Sequence, residues 1–176
     1  GDILEKNNKI KELGVEVDTQ IEKNQLLQAD IDDLIKNQEE VADASKRLIK
    51  LNNLKGKITQ KVATITKEHK FFTDNRVCPT CTQDIEEEFR INKVDDAQHR
   101  AKELKSGYEE LEKTLKTEEE RERHFLTLSK EITQLTHGIS KNNTRVSGCT
   151  KQIRDLESEI QTLTTQLENR NTEHEK

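Results

Sequence analysis

The sequence predicts an all-α fold, an antiparallel coiled-coil hairpin with a Cys-x-x-Cys turn at its apex. Three observations predict it. Charged residues make up 37% of the 176 and aromatics only 3%, with no Trp and one Tyr, so a globular core has little to be built from. Leu and Ile recur at heptad spacing on both sides of a central turn, the narrow seam of paired helices rather than the patternless polarity of disorder. The only proline, Pro79, sits in Cys78-Pro79-Thr80-Cys81 near the middle of the chain, where a helix must stop and reverse.

The ascending segment, 1–73, carries Ile3, Ile10, Val17 and Ile31 at heptad spacing, with Leu13, Leu27, Leu34, Val41 and Leu48 three residues out of phase. Asn24, Gln38 and Ser45 interrupt this seam with polar side chains. Leu51, Leu54, Ile58, Ile65 and Phe72 continue it after a three-residue phase slip near Leu48, a stammer that overwinds the supercoil. The run Thr73-Asp74-Asn75 is poor in helix formers and opens a knuckle over 74–85.

The descending segment, 86–176, is preceded by Thr82 as a candidate N-cap, with Asp84, Glu86, Glu87 and Glu88 suited to the positive end of a helix. Leu104, Tyr108, Leu111 and Leu115 set a 4-3-4 rhythm; Phe125, Leu128, Ile132, Leu135 and Ile139 resume it after another slip. Val146, Cys149, Ile153, Leu156, Ile160, Leu163 and Leu167 complete the seam, with Cys149 as a small apolar seam residue. A hairpin centred between Pro79 and Thr80 pairs residues whose numbers sum to about 159. Arg47 then faces Glu112 and Lys50 faces Glu109, a register marker more than a source of stability.

Two levels carry helix-weakening residues on both arms: Gly56 with Gly107, and Gly14 with the stretch holding Gly138, Asn142, Asn143 and Gly148. The arms are unequal, 77 residues before Cys78 and 95 after Cys81, so the descending arm either overhangs or breaks, with 138–148 the candidate break. Both ends fall in mid-helix, and the chain reads as a segment of a larger protein. Residues 46–70 hold eight Lys/Arg against Glu68 alone, and Lys55, Lys57, Lys61, Lys67 and Lys70 read first as a solvated basic face. The run Glu118-Glu119-Glu120 reads as exposed. The net charge of −5 gives no global reason to expect nucleic-acid binding.

Cys78 and Cys81 supply half of a tetrahedral zinc site, since structural zinc takes four thiolate or imidazole ligands. Cys149 lies 68 residues beyond Cys81, on the order of 100 Å along a continuous helix. His69 and His99 are nine and 18 residues from the nearer cysteine, roughly 13 and 27 Å away. Four chemistries compete: a redox pair, which wants a βαβ framework absent from this pattern; an intrachain zinc finger, which lacks nearby ligands; a disulfide after metal loss; and a zinc shared with the same knuckle of a second chain. The last is the most economical and makes the chain a homodimer with one Zn2+ between two copies. Pro79 stiffens the turn, and the N–H groups of Thr80, Thr82 and Gln83 are candidate donors to the thiolates. Val77, Pro79, Thr80 and Ile85 are the candidate dimer interface, with Arg76 offsetting the charge of four thiolates.

Three cysteines, no leader and no apolar run of membrane length read as an intracellular, reducing setting (a bacterial host's cytoplasm or a nucleus) without a membrane. There is no Gly-rich phosphate loop and no acid/base constellation, so the segment itself reads as no enzyme.

Cys78-Pro79-Thr80-Cys81, with Ile85 four positions on and a helical seam on either side, resembles the zinc hook of the Rad-fifty/SbcC family. The resemblance covers the architecture of the whole chain but, in sequence, only the knuckle. It implies a tethering segment of an SMC-like ATPase that acts with an Mre-type nuclease in DNA double-strand-break repair and recombination. On that resemblance Cys78 and Cys81 of two chains share one zinc, and the nuclease and DNA are met by parts outside this sequence. Arms this short would suit a compact member of the T4-like phage type. Many members carry Gly after the second cysteine, where this chain has Thr82. The competing readings are a coiled-coil spacer without metal and a knuckle that grips a different protein.

Overall fold

The computed structural model describes residues 2–175, and it is all-α. Three helices follow one another: α1 (Asp2–Glu40), α2 (Ala44–Asp74) and α3 (Glu87–Glu175). Among the described residues no strand forms, and one isolated antiparallel bridge joins Val77 to Asp84. Among the described residues no helix is long and apolar enough to cross a membrane. Contacts divide the chain into two units, Gly1–Gln38 with Thr127–Lys176, and Glu39–Leu126.

In the second unit α2 runs antiparallel to the first part of α3. Leu48, Leu111 and Leu115 form its buried centre, with Leu51 and Ile58 packed against it. Ile65 and Ala97 are buried closer to the turn. Truncating a buried leucine of this kind costs about 2–5 kcal/mol, so these few side chains carry much of the pairing. The C-terminus of α2 is capped twice. Asn75 donates its backbone N–H and its Nδ2 to the Phe71 carbonyl, and Arg90 Nη1 donates to the Phe72 carbonyl at 3.0 Å. Phe72 packs edge-on against Phe71 and Phe89, with ring centroids 5.0 and 5.9 Å apart. These contacts fix where the chain leaves α2 and rejoins α3.

In the first unit α1 runs antiparallel to the C-terminal part of α3. Leu13, Gln20 and Ile31 are buried on α1 and Leu128 on α3. Lys6 Nζ meets Glu159 Oε2 at 2.7 Å, Arg145 pairs with Glu16, and Gln38 donates to Ser129 Oγ.

The ascending arm is two helices, not one. The chain turns at 41–43, where Ala42 N–H reaches the Glu39 carbonyl and Ala44 N–H reaches the Val41 carbonyl, both three residues back. The half-buried and buried positions step Leu34, Gln38, Val41, Ala44, Leu48, Leu51, with two three-residue steps in succession. This is the expected stammer, placed at 41–44 rather than near Leu48. Two such steps need close to three residues per turn, which 3₁₀ geometry provides and an α-helix does not. Ala44 takes the seam place expected of Ser45, which is exposed, and Leu54 is 47% exposed.

The descending arm does not break. α3 stays helical through 138–148, and Asn142 and Asn143 serve the pairing instead. A Cβ on Gly138 would stand 3.5 Å from Leu27 Cδ1, an ordinary packing contact. Asn142 Nδ2 donates to Asn24 Oδ1 and Asn24 Nδ2 donates to Asn143 Oδ1, both at 2.9 Å. Gly56 and Gly107 also lie inside unbroken helices with open space where a side chain would go.

Register differs as well. Cross-helix pairs have numbers summing to between 161, for Glu68 with Lys93, and 168, for Glu68 with Arg100. Arg47 therefore meets Glu118, not Glu112. The cause is the turn: α3 starts at Glu87, so Thr82 is no N-cap and the reversal is centred later than Pro79–Thr80. Glutamates repeat along α3, and charge matching alone admits several registers.

Candidate functional site

The turn between α2 and α3 has its own small framework. Cys78 N–H donates to the Gln83 carbonyl and Ile85 N–H to the Arg76 carbonyl, both at 2.9 Å, on either side of the Val77–Asp84 bridge. Two extended stems thus close on the loop Cys78–Gln83. Inside it Thr82 N–H donates to the Cys78 carbonyl at 2.9 Å, a one-turn reversal that brings Cys81 back over Cys78. Thr82 closes this reversal with φ of 61°, the left-handed region that costs an L-residue with a branched Cβ about 1–2 kcal/mol. This is the place where a glycine fits without strain, and Thr82 holds the same backbone despite its side chain. Its Oγ1 donates to the Cys81 carbonyl at 2.7 Å.

The reversal acts on the thiols. The backbone N–H groups of Cys81 and Thr80, and then the Cys81 side chain, hydrogen-bond to Cys78 and hold its thiol below the ordinary value. A thiolate is the form that binds metal and the form that these donors favour. Of the donors expected from the sequence, Thr80 serves, Cys81 joins it, and Thr82 is withdrawn because its N–H is spent on the Cys78 carbonyl. Cys78 is half-buried, Cys81 is exposed, and neither is in a disulfide. Pro79 and Thr80 lie exposed at the very tip; Val77 is 46% exposed and Ile85 half-buried. Arg90, with Arg76 behind it, holds the Glu87 carboxyl low, so this cationic pair borders the base of the turn.

No other ligand comes near. Among the described residues no three His, Cys, Asp or Glu side chains gather closely enough to hold a metal ion. His69 Nε2 lies 3.3 Å from Gln98 Nε2, and His99 pairs with Glu103 on its own helix. Cys149 is half-buried within the first unit, beside Leu13. One chain therefore places two cysteine side chains together at one tip, and among the described residues no third ligand-type side chain joins them.

The sequence reading missed a second cluster. Glu118, expected on an exposed face, is buried, with its side chain 4% accessible. Arg121 Nη1 lies 2.6 Å from Glu118 Oε2 and Arg47 Nε 3.4 Å from Oε1. Arg121 Nη2 donates to the Glu40 carbonyl at 2.8 Å and to Asp43 Oδ1 at 2.7 Å. The signal was present: Leu104, Leu111, Glu118, Phe125 and Ile132 stand seven apart, so Glu118 occupies a seam place where a slip had been inferred.

Comparison with protein-family models and with curated proteins finds no match for the chain.

Proposed function

We propose that this chain is a metal-linked dimerisation and tethering segment, in which Cys78 and Cys81 of two copies complete one tetrahedral zinc site. The observation that carries the reading is the turn itself. It presents two adjacent sulfurs at an exposed tip, supplies backbone N–H donors to one of them, and brings no third ligand. Zinc with two thiolates is coordinatively incomplete, and a second identical tip is the simplest source of the other two. The ion's role is structural: it links two tips. The chain's own residues aim the sulfurs, with Thr80 and Cys81 N–H groups favouring thiolate at Cys78 and Pro79 limiting the turn's freedom. Val77, exposed beside the knuckle, is the apolar contact available to a partner copy.

The wider role follows the resemblance to the Rad-fifty/SbcC zinc hook. On that reading the helices are the arms of an SMC-like ATPase acting with an Mre-type nuclease in double-strand-break repair and recombination. The segment contributes the link and no catalysis, in a reducing intracellular setting. Cys78→Ser and Cys81→Ser test the proposal. Each variant should lose zinc binding and sediment as a monomer under conditions where the zinc-loaded chain is a dimer. Variants that bind zinc as the parent does reject the site, and variants that lose zinc yet remain dimeric move the dimer interface to the helices.

A further inference from the structure

The Glu118 cluster sits at the break between α1 and α2, and its geometry accounts for that break. No glycine or proline lies between Glu39 and Ala44, and the segment Glu39-Glu40-Val41-Ala42-Asp43-Ala44 has no residue that forbids a helix. The break leaves the Glu40 carbonyl without the Ala44 N–H, which bonds to Val41 instead. Arg121 occupies the vacated carbonyl and, with the same nitrogen, the Asp43 carboxylate. Its other terminal nitrogen is anchored on Glu118, whose buried carboxylate also meets Arg47. One guanidinium thus ties the end of α1 and the start of α2 to α3.

The seams on the two sides differ in what holds them. That of α2 has Ala44, Leu48, Leu51, Ile58, Ile65 and Phe72, with Lys55 and His69 half-buried among them, and centres on the buried Leu48, Leu111 and Leu115 cluster. That of α1 contains buried Gln20, Asn24 bonded to Asn142 and Asn143, and Gln38 bonded to Ser129. Polar seam layers fix register at a cost in stability.

We infer that the turn at 41–43 is a latched boundary: Arg121 holds it closed, and when released α1 separates from α3 while α2 and the cysteine turn keep their pairing. The inference is independent of the metal reading. Releasing the latch frees the Glu40 carbonyl, the Asp43 carboxylate and the guanidinium to water, while the buried Glu118 carboxylate keeps Arg47. Opening therefore requires no burial of unpaired charge, and the buried Leu48, Leu111 and Leu115 cluster provides the stop.

Hydrogen exchange on the full chain tests it. In R121A, amides of 27–40 should exchange about tenfold faster than in the parent while those of 51–65 stay within about twofold. R121K keeps the charge but loses the planar fork that reaches three acceptors, so a rise of about threefold confined to 27–40 is expected. If R121A proves too unstable to measure, R121K decides. An equal rise on both sides of 41–43 overturns the boundary, and unchanged exchange at 27–40 overturns the latch.

Discussion

Arg47 Nε lies 3.4 Å from Glu118 Oε1, six residues further along α3 than the glutamate charge matching selects. Glu118 is the member with little solvent; Arg47 is 53% exposed and easily rehydrated. Arg47 can rehydrate once the carboxylate is gone, and an apolar side chain at this heptad place refills the seam, whereas alanine leaves a gap beside two arginines. Glu118→Leu should therefore hold or raise the melting temperature, and Glu118→Ala should lower it by about 3 °C. Thermal melting decides; equal losses in both variants would contradict the seam placement.

Thr82 predicts a gain. Relieving its left-handed backbone with Thr82→Gly should stabilise the turn by about 1 kcal/mol, discounted by the greater freedom of glycine when unfolded. A turn better formed before binding should take zinc up to about fivefold more tightly. Competition against a chromogenic chelator reads this directly, and weaker binding by the glycine variant would mean that the Thr82 Oγ1 bond to Cys81 outweighs the strain.

Asp43 makes the break sensitive to acid. Its hydrogen bond from Arg121 holds the carboxyl below its ordinary 3.8. A depressed folded value means the contribution is fully present above 3.8 and is lost as pH falls through the lower folded value. Asp43→Asn should thus be less stable than the parent at neutral pH, with the difference closing below about pH 4. Melting curves across pH 2–7 show it as two converging lines, and lines that stay parallel would remove Asp43 from the cluster.

Gly56 and Gly107 were expected as a flexible level and stand in open space inside α2 and α3. Alanine at either should raise stability by up to about 1 kcal/mol through helix propensity alone. A loss on melting would show that these glycines do more than the backbone indicates.

The seams, the all-α class and the turn near residues 75–86 were legible because heptad spacing and a lone proline are local signals. Leu48, Leu111, Leu115, Ile65 and Leu128, named as seam residues, are buried. What was illegible depended on partners. Asn142 and Asn143 weaken a helix in isolation, but both bond Asn24 across the pair. The break fell at Val41–Asp43, where local propensity favours helix and the cause lies 78 residues away in Arg121. Glu118 looked exposed because a run of three glutamates carries no sign of which one faces inward. Within the turn, Thr82 was recognised as a departure from glycine, yet only the backbone shows that it adopts the glycine conformation.

Completion of one site by two turns is tested most directly by zinc content measured on the same sample as solution mass. With zinc added and excess removed under reducing conditions, the chain should be a dimer carrying one zinc per two chains. One zinc on each monomeric chain, or a dimer whose mass is indifferent to zinc and whose cysteines bind none, would contradict it.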